Sequence, residues 1–142
     1  MFRVNKTSTP GATPVFIQHG LFGDAVAWVL NTNKSLAFVL ANAGYDVWLG
    51  NNRGNQFSRT NTKIDITTQT QQWFDFSFFE LGKYDAPAQI DEVLRITGKS
   101  KLSYIGYSQG TSQMFSALSY NHGNLQDKLN LFIALAPVVE MN

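Results

Sequence analysis

Four short apolar runs punctuate the chain: Thr13–Gln18, Tyr45–Leu49, Leu102–Tyr107 and Asn130–Ala136. Each is too brief for a helix and is flanked by turn residues, which predicts buried strands. The stretches between them have helical period. In Lys34–Ala43, residues Leu36, Val39, Leu40 and Ala43 fall at i, i+3, i+4 and i+7, and Gly44 supplies a stop. In Asp85–Thr97 the expected N-cap is Asp85, with Pro87 in the first turn and Ile90, Val93, Leu94 and Thr97 as the buried stripe. A third helix over Gln109–Tyr120 turns Met114, Phe115 and Leu118 inward, and Thr60–Gln72 reads as the longest loop. The order β-α-β-α-β-α-β predicts an α/β fold: a mostly parallel sheet with flanking helices and right-handed crossovers. Chemistry in such sheets sits at the carboxyl ends of the strands. His19-Gly20-Leu21, Asn51–Gly54 and Ser108 all fall there.

Composition narrows the function classes. At 142 residues the chain is one domain at most, and 44% hydrophobic with 15% charged residues is enough apolar content for a packed core. The net charge is +1 with no basic run, so neither nucleic acid nor an anionic membrane surface is the expected partner. Cysteine is absent, which rules out a disulfide framework or thiolate zinc site but does not fix the compartment. No stretch approaches ~18 consecutive apolar residues. Met1–Lys6 lacks the apolar core of a secretory signal, and the sequons at Asn5 and Asn33 would matter only in a secreted protein. No His pair or carboxylate cluster has metal-ligand spacing, and the glycines make no phosphate loop, so no metal or cofactor is expected.

Gly106-Tyr107-Ser108-Gln109-Gly110 lies directly between an expected strand and an expected helix. That is G-x-S-x-G in the strand–turn–helix context of a nucleophile elbow. The turn holds the serine in a strained conformation, and the glycines let a strand and a helix approach without a Cβ clash. The alternative is an ordinary turn with Ser108 as helix cap. Acyl transfer at a serine needs a nucleophile, a base, an orienting acid and donors for the developing oxyanion. Ser108 supplies the first. The backbone N–H of Gln109 is one donor, and the Leu21 N–H, from the loop His19-Gly20-Leu21-Phe22-Gly23, is placed to be the second.

These residues resemble the acid lipases of the α/β-hydrolase fold, the gastric and lysosomal type. The resemblance rests on Gln18-His19-Gly20-Leu21, Asn33–Phe38, Ala43–Asn51, Arg53-Gly54-Asn55, Ser58-Arg59, Trp73–Phe78, Lys83-Tyr84-Asp85, Ser108–Thr111 and Ala134–Pro137. It implies a serine ester hydrolase acting on neutral lipid esters such as acylglycerols or sterol esters. It implies Ser108 as nucleophile, Leu21 and Gln109 as oxyanion donors, transient contact with a lipid surface, and a secreted or lysosomal setting. Tyr107 departs from the family, which has histidine there; its expected effect is on packing. The resemblance also implies the strand order second, first, third, fourth, with both sheet edges open.

In the family the triad acid and histidine follow later strands, past the position equivalent to residue 142. The expectation is therefore that residues 1–142 are an incomplete hydrolase domain lacking the C-terminal strands, with little turnover alone and the C-terminal half as its missing partner. The alternative is a non-catalytic fragment that binds lipid or a partner chain. Of the two histidines, His122 lies past a helix of ~13 residues at ~1.5 Å each, about 20 Å from Ser108. His19 is at the correct edge but belongs to the oxyanion loop, where both ring nitrogens are expected to find local partners. Asp127 is on the wrong edge, and Glu140 has no histidine to orient. The aromatic segment Trp73–Phe79 reads as core packing in preference to an acyl-chain site, Arg53 and Arg59 as loop braces in preference to a carboxylate-binding site, and Trp28 as loop packing.

Overall fold

The computed structural model describes residues 1–4 and 11–139; the Asn5 sequon and Glu140 lie outside the described residues. Five strands form one sheet: β1 (Phe2–Arg3), β2 (Pro14–Gln18), β3 (Asp46–Leu49), β4 (Leu102–Tyr107) and β5 (Leu129–Leu135). The order is β1-β3-β2-β4-β5, and only β1 runs antiparallel. The four expected strands thus take the expected parallel order. β1 is an addition: Phe2 pairs with Leu49 and Arg3 with Trp48, so the β3 edge expected to be open is covered. Nothing in a two-residue strand gives a periodic signal. It is held through side chains. Arg3 donates from Nε and Nη2 to Asp46, both at 2.7 Å, and lies over the Trp48 ring.

β2 is central and wholly buried, which is why its sequence is an unbroken apolar run. Alternate residues go to opposite faces. Phe16, Tyr104 and Leu102 pack against Ile90 and Val93 of α4 (Ala86–Thr97) and Met114 of α5 (Gln109–Ser119). Val15, Ile17, Val47 and Ile105 pack against α1 (Leu36–Asn42).

Two helices differ from expectation. On α1 the fully buried residues are Ala37 and Ala41; Leu36 and Leu40 pack partly against the core, and Val39 is 49% exposed. The inward stripe is shifted because small side chains let the helix lie close to the sheet. The second correction concerns Asp85, which is not an N-cap: its backbone is helical and its side chain caps nothing. Helical structure begins earlier. A short α2 (Thr70–Trp73) ends the long loop, and α3 (Phe78–Glu80) opens on a capping box between Ser77 and Glu80. A π-helical turn over Leu81–Asp85 then runs into α4. Pro87 lacks an N–H and cannot sit in an ordinary helix interior, so the widened turn just ahead of it is a physically sensible adjustment. In that turn Gly82 lies against α5: a Cβ there would come within 2.5 Å of the Gln113 carbonyl oxygen.

Candidate active site

β4 enters the elbow and α5 leaves it. Ser108 between them has φ +51° and ψ −119°, a conformation that costs an L-residue energy and persists only where its surroundings impose it. The flanking glycines show what imposes it. A Cβ on Gly106 would lie 2.6 Å from the Gly110 carbonyl oxygen, and one on Gly110 would lie 2.8 Å from the Gln18 carbonyl oxygen. Strand, helix and the neighbouring β2 therefore meet at a spacing only glycine allows. Ser108 caps nothing with its side chain, which removes the helix-cap alternative.

The loop after β2 closes on the elbow from the other side. A Cβ on Gly20 would approach the Ser108 Cβ to 3.0 Å. Beyond it, Gly23 N–H donates to Gly20 O at 3.1 Å, closing a turn with Phe22 at φ +56°. This turn leaves the Leu21 N–H without a protein acceptor, and the Gln109 N–H, at the first position of α5, is likewise free among the described residues. Leu21 and Gln109 line one cavity of about 600 Å³, together with Asn52, Arg53, Phe74 and Phe76. The structure thus places the two expected donors and Ser108 on one edge of the sheet.

His19 is 4% exposed and both ring nitrogens are taken. Nδ1 donates to Gly20 O at 2.8 Å, and Nε2 accepts from the Asn52 N–H at 3.1 Å. That pairing assigns the proton to Nδ1. Burial lowers the His19 pKa below the usual histidine value, against the opposing hydrogen bond to Gly20 and the charge of Asp24. As expected, the ring is a structural brace. His122 lies past the far end of α5, stacked on Tyr120 and edge-on to Phe79. Asp127 is exposed on α6 (Leu125–Lys128), before β5 and thus away from the site edge.

Arg53 is the expected brace. Its backbone N–H and Nε both donate to the Asp85 carboxylate, at 2.8 and 2.7 Å, tying the loop after β3 to the start of α4. Arg59 is exposed in the following loop. The aromatic segment divides: Trp73 is buried as expected, whereas Phe74 and Phe76 line the cavity. A sequence run does not show that a turn sends its members different ways. Tyr107 packs edge-on against Trp28 at 6.3 Å, which accounts for both residues as packing. Sequence reasoning missed Asn52 and Gln113, two buried amides joined by a 2.7 Å hydrogen bond. Their polar character at helix and turn positions carries no signal of that contact.

A parallel sheet, a strained serine between two helix-packing glycines and a donor-bearing loop beside it define an α/β hydrolase, and the chain belongs to that fold family, whose profile matches residues 13–142. Within that fold the sequence is similar in kind to lipases of the gastric type. It is 49% identical over 130 residues to the gastric triacylglycerol lipase of Mus musculus, covering 90% of this chain and 32% of that protein. To lipase member K of Homo sapiens it is 47% identical over 135 residues, covering 92% and 33%. The chain spans about a third of the length of these curated relatives. Among solved structures, the mature form of Bacillus licheniformis lipase BlEst2 superposes with a TM-score of 0.61 at 19% identity, covering 94% of this chain and 44% of that one. A thioesterase domain from the curacin biosynthetic pathway gives 0.53 at 20% identity, covering 94% and 41%. These two share the fold.

Proposed function

We propose that residues 1–142 form an incomplete domain carrying the nucleophile and oxyanion half of a serine carboxylic-ester hydrolase acting on neutral lipid esters, triacylglycerols or sterol esters. Ser108 is the nucleophile, and the N–H groups of Leu21 and Gln109 receive the oxyanion. The observation that carries this reading is the elbow itself: Ser108 at φ +51° lies against Gly20, and the flanking Leu21 and Gln109, whose N–H groups are unpaired among the described residues, both line one cavity. Attack of the Ser108 Oγ on an ester carbonyl would form a tetrahedral oxyanion. Two fixed donors and the N-terminal end of α5 stabilise such charge without reorganising. Phe74 and Phe76 give the cavity an apolar wall suited to an acyl chain. The relatives named triacylglycerol lipases support the substrate class, and the family resemblance supports a secreted or lysosomal setting and transient contact with a lipid surface.

The same reading proposes low turnover for the chain alone. Neither described histidine is available as base: His19 is held at both nitrogens, and His122 lies past the opposite end of α5. The base and its orienting acid would come from the C-terminal half of the domain. An oxyanion hole without its base still gives weak rate acceleration. The test is labelling by a fluorophosphonate and hydrolysis of p-nitrophenyl butyrate, with Ser108→Ala as control. Slow labelling confined to Ser108 with hydrolysis near background is expected. Labelling equal in Ser108→Ala removes Ser108 as nucleophile. Fast Ser108-dependent hydrolysis would instead require a base within the chain.

A further inference from the structure

The two candidate oxyanion donors belong to different elements, Leu21 to the loop after β2 and Gln109 to α5. Their relative position must be fixed to within a fraction of an ångström for both to reach one oxygen. A continuous line of buried hydrogen bonds joins the two elements. Tyr104 OH donates to Gly110 O at 2.9 Å. Gln113 Nε2 donates to Tyr104 OH at 3.2 Å, and Asn52 Nδ2 donates to Gln113 Oε1 at 2.7 Å. The Asn52 N–H then donates to His19 Nε2, and His19 Nδ1 to the Gly20 carbonyl that closes the turn around Leu21. Tyr104 and Gln113 are fully buried, and Asn52 and His19 nearly so.

The polarity of this line is determined throughout. Tyr104 spends its only proton on Gly110 O, so Gln113 must turn its NH₂ to Tyr104 and its carbonyl to Asn52. Burial pushes the Tyr104 pKa up, keeping that proton in place. Asn52 is the node: it donates in one direction through its side chain and in the other through its backbone. Buried amides are costly, the more so here because Asn52 Oδ1 has no partner among the described residues, and an apolar pair would fill the same space at less risk.

We infer that the Asn52–Gln113 amide pair is the positioning element that sets the Leu21 N–H against the Gln109 N–H. Neither residue touches the reacting atoms through this bond; both act through His19 and Gly110. The inference rests on the proposed function for its purpose, but the coupling is measurable without turnover.

The experiment uses the ¹⁵N-labelled chain and two variants that cut the line at the Asn52–Gln113 bond, one from each side. Gln113→Met keeps the length of the side chain and removes its polar atoms. Asn52→Ala keeps the backbone N–H to His19 and leaves α5 untouched, so it carries the test if Gln113→Met fails to fold. Each is expected to displace the Leu21 amide resonance and the His19 ring-nitrogen resonances, while core amides such as Ile17 and Val47 stay in place. The double variant should displace them no further than the singles. Fluorophosphonate labelling of Ser108 should slow by about tenfold, the scale of one buried hydrogen bond. Leu21 and His19 resonances unmoved in both variants overturn the inference, as do singles that merely add. Absence of labelling in the wild-type chain counts against the hydrolase reading alone, because the resonances decide the coupling separately.

Discussion

The site edge of the sheet and its β5 flank are finished to different degrees. At the site edge, Gly106, Gly110 and Gly20 bring three backbone segments to contact distance, and the cavity floor is tied by buried hydrogen bonds. On the flank, β5 alternates between Phe132, which packs on Tyr104 and Phe115, and Leu131, Ile133 and Leu135, which are 53%, 38% and 37% exposed. Among the described residues, pairing partners exist for β5 only on the β4 side. The contrast separates two requirements. Geometry at the elbow is imposed by near neighbours and is complete within this chain. Covering a sheet flank needs another layer or strand, and an apolar strand face left open invites association.

The largest effect should come from the crowded edge. Gly110→Val would force side-chain atoms onto the Gln18 and His19 carbonyl oxygens, neither of which can retreat without moving β2. A loss of about 3 kcal/mol in urea unfolding is expected. A loss under ~0.5 kcal/mol would show that the elbow is looser than its contacts imply.

The Arg53–Asp85 tie is next. Asp85 is 9% exposed and Arg53 39%. Asp85→Ala strands the Arg53 N–H but leaves the guanidinium partly solvated, so about 1–2 kcal/mol is expected in the same measurement. Asp85→Asn should recover part of it by accepting the N–H bond. No recovery would mean that charge, not the hydrogen bond, holds the loop.

His19 gives the site edge a pH dependence. Its folded pKa lies below the ordinary 6.5, so above 6.5 both folded and unfolded states are neutral and stability is full. As pH falls through 6.5, the unfolded chain takes up a proton that the folded chain refuses, and stability declines until the lower folded pKa is passed. Chemical denaturation from pH 7.5 to 5 should show this slope in the wild type and its loss in His19→Asn. An identical slope in both assigns it to another group.

The smallest effect on stability belongs to the open flank. Ile133→Thr should change unfolding free energy by no more than ~0.5 kcal/mol, since little packing is lost, yet light scattering should show less self-association. If Ile133→Thr costs as much as Gly110→Val, the two regions are not different in kind.

Much of this architecture was legible from residue order, because strand length, helical period and glycine placement depend on interactions within a few positions. The four main strands and the stop at Gly44 have local causes, and the G-x-S-x-G spacing marked the turn at Ser108. The capping box at Ser77 and Glu80 was equally local and was overlooked in favour of Asp85. What residue order could not supply were choices made between distant segments. The side of α1 that meets the sheet, the pairing of β1 with β3, the transfer of Asp85 to Arg53 and the bond from Asn52 to Gln113, 61 positions away, depend on which surfaces folding brings together. The amino-acid order thus determined that a serine would be raised at a sheet edge. Only the folded chain decided what holds its surroundings still, because a hydrogen bond between two buried amides exists only once packing has excluded the water that would otherwise satisfy them.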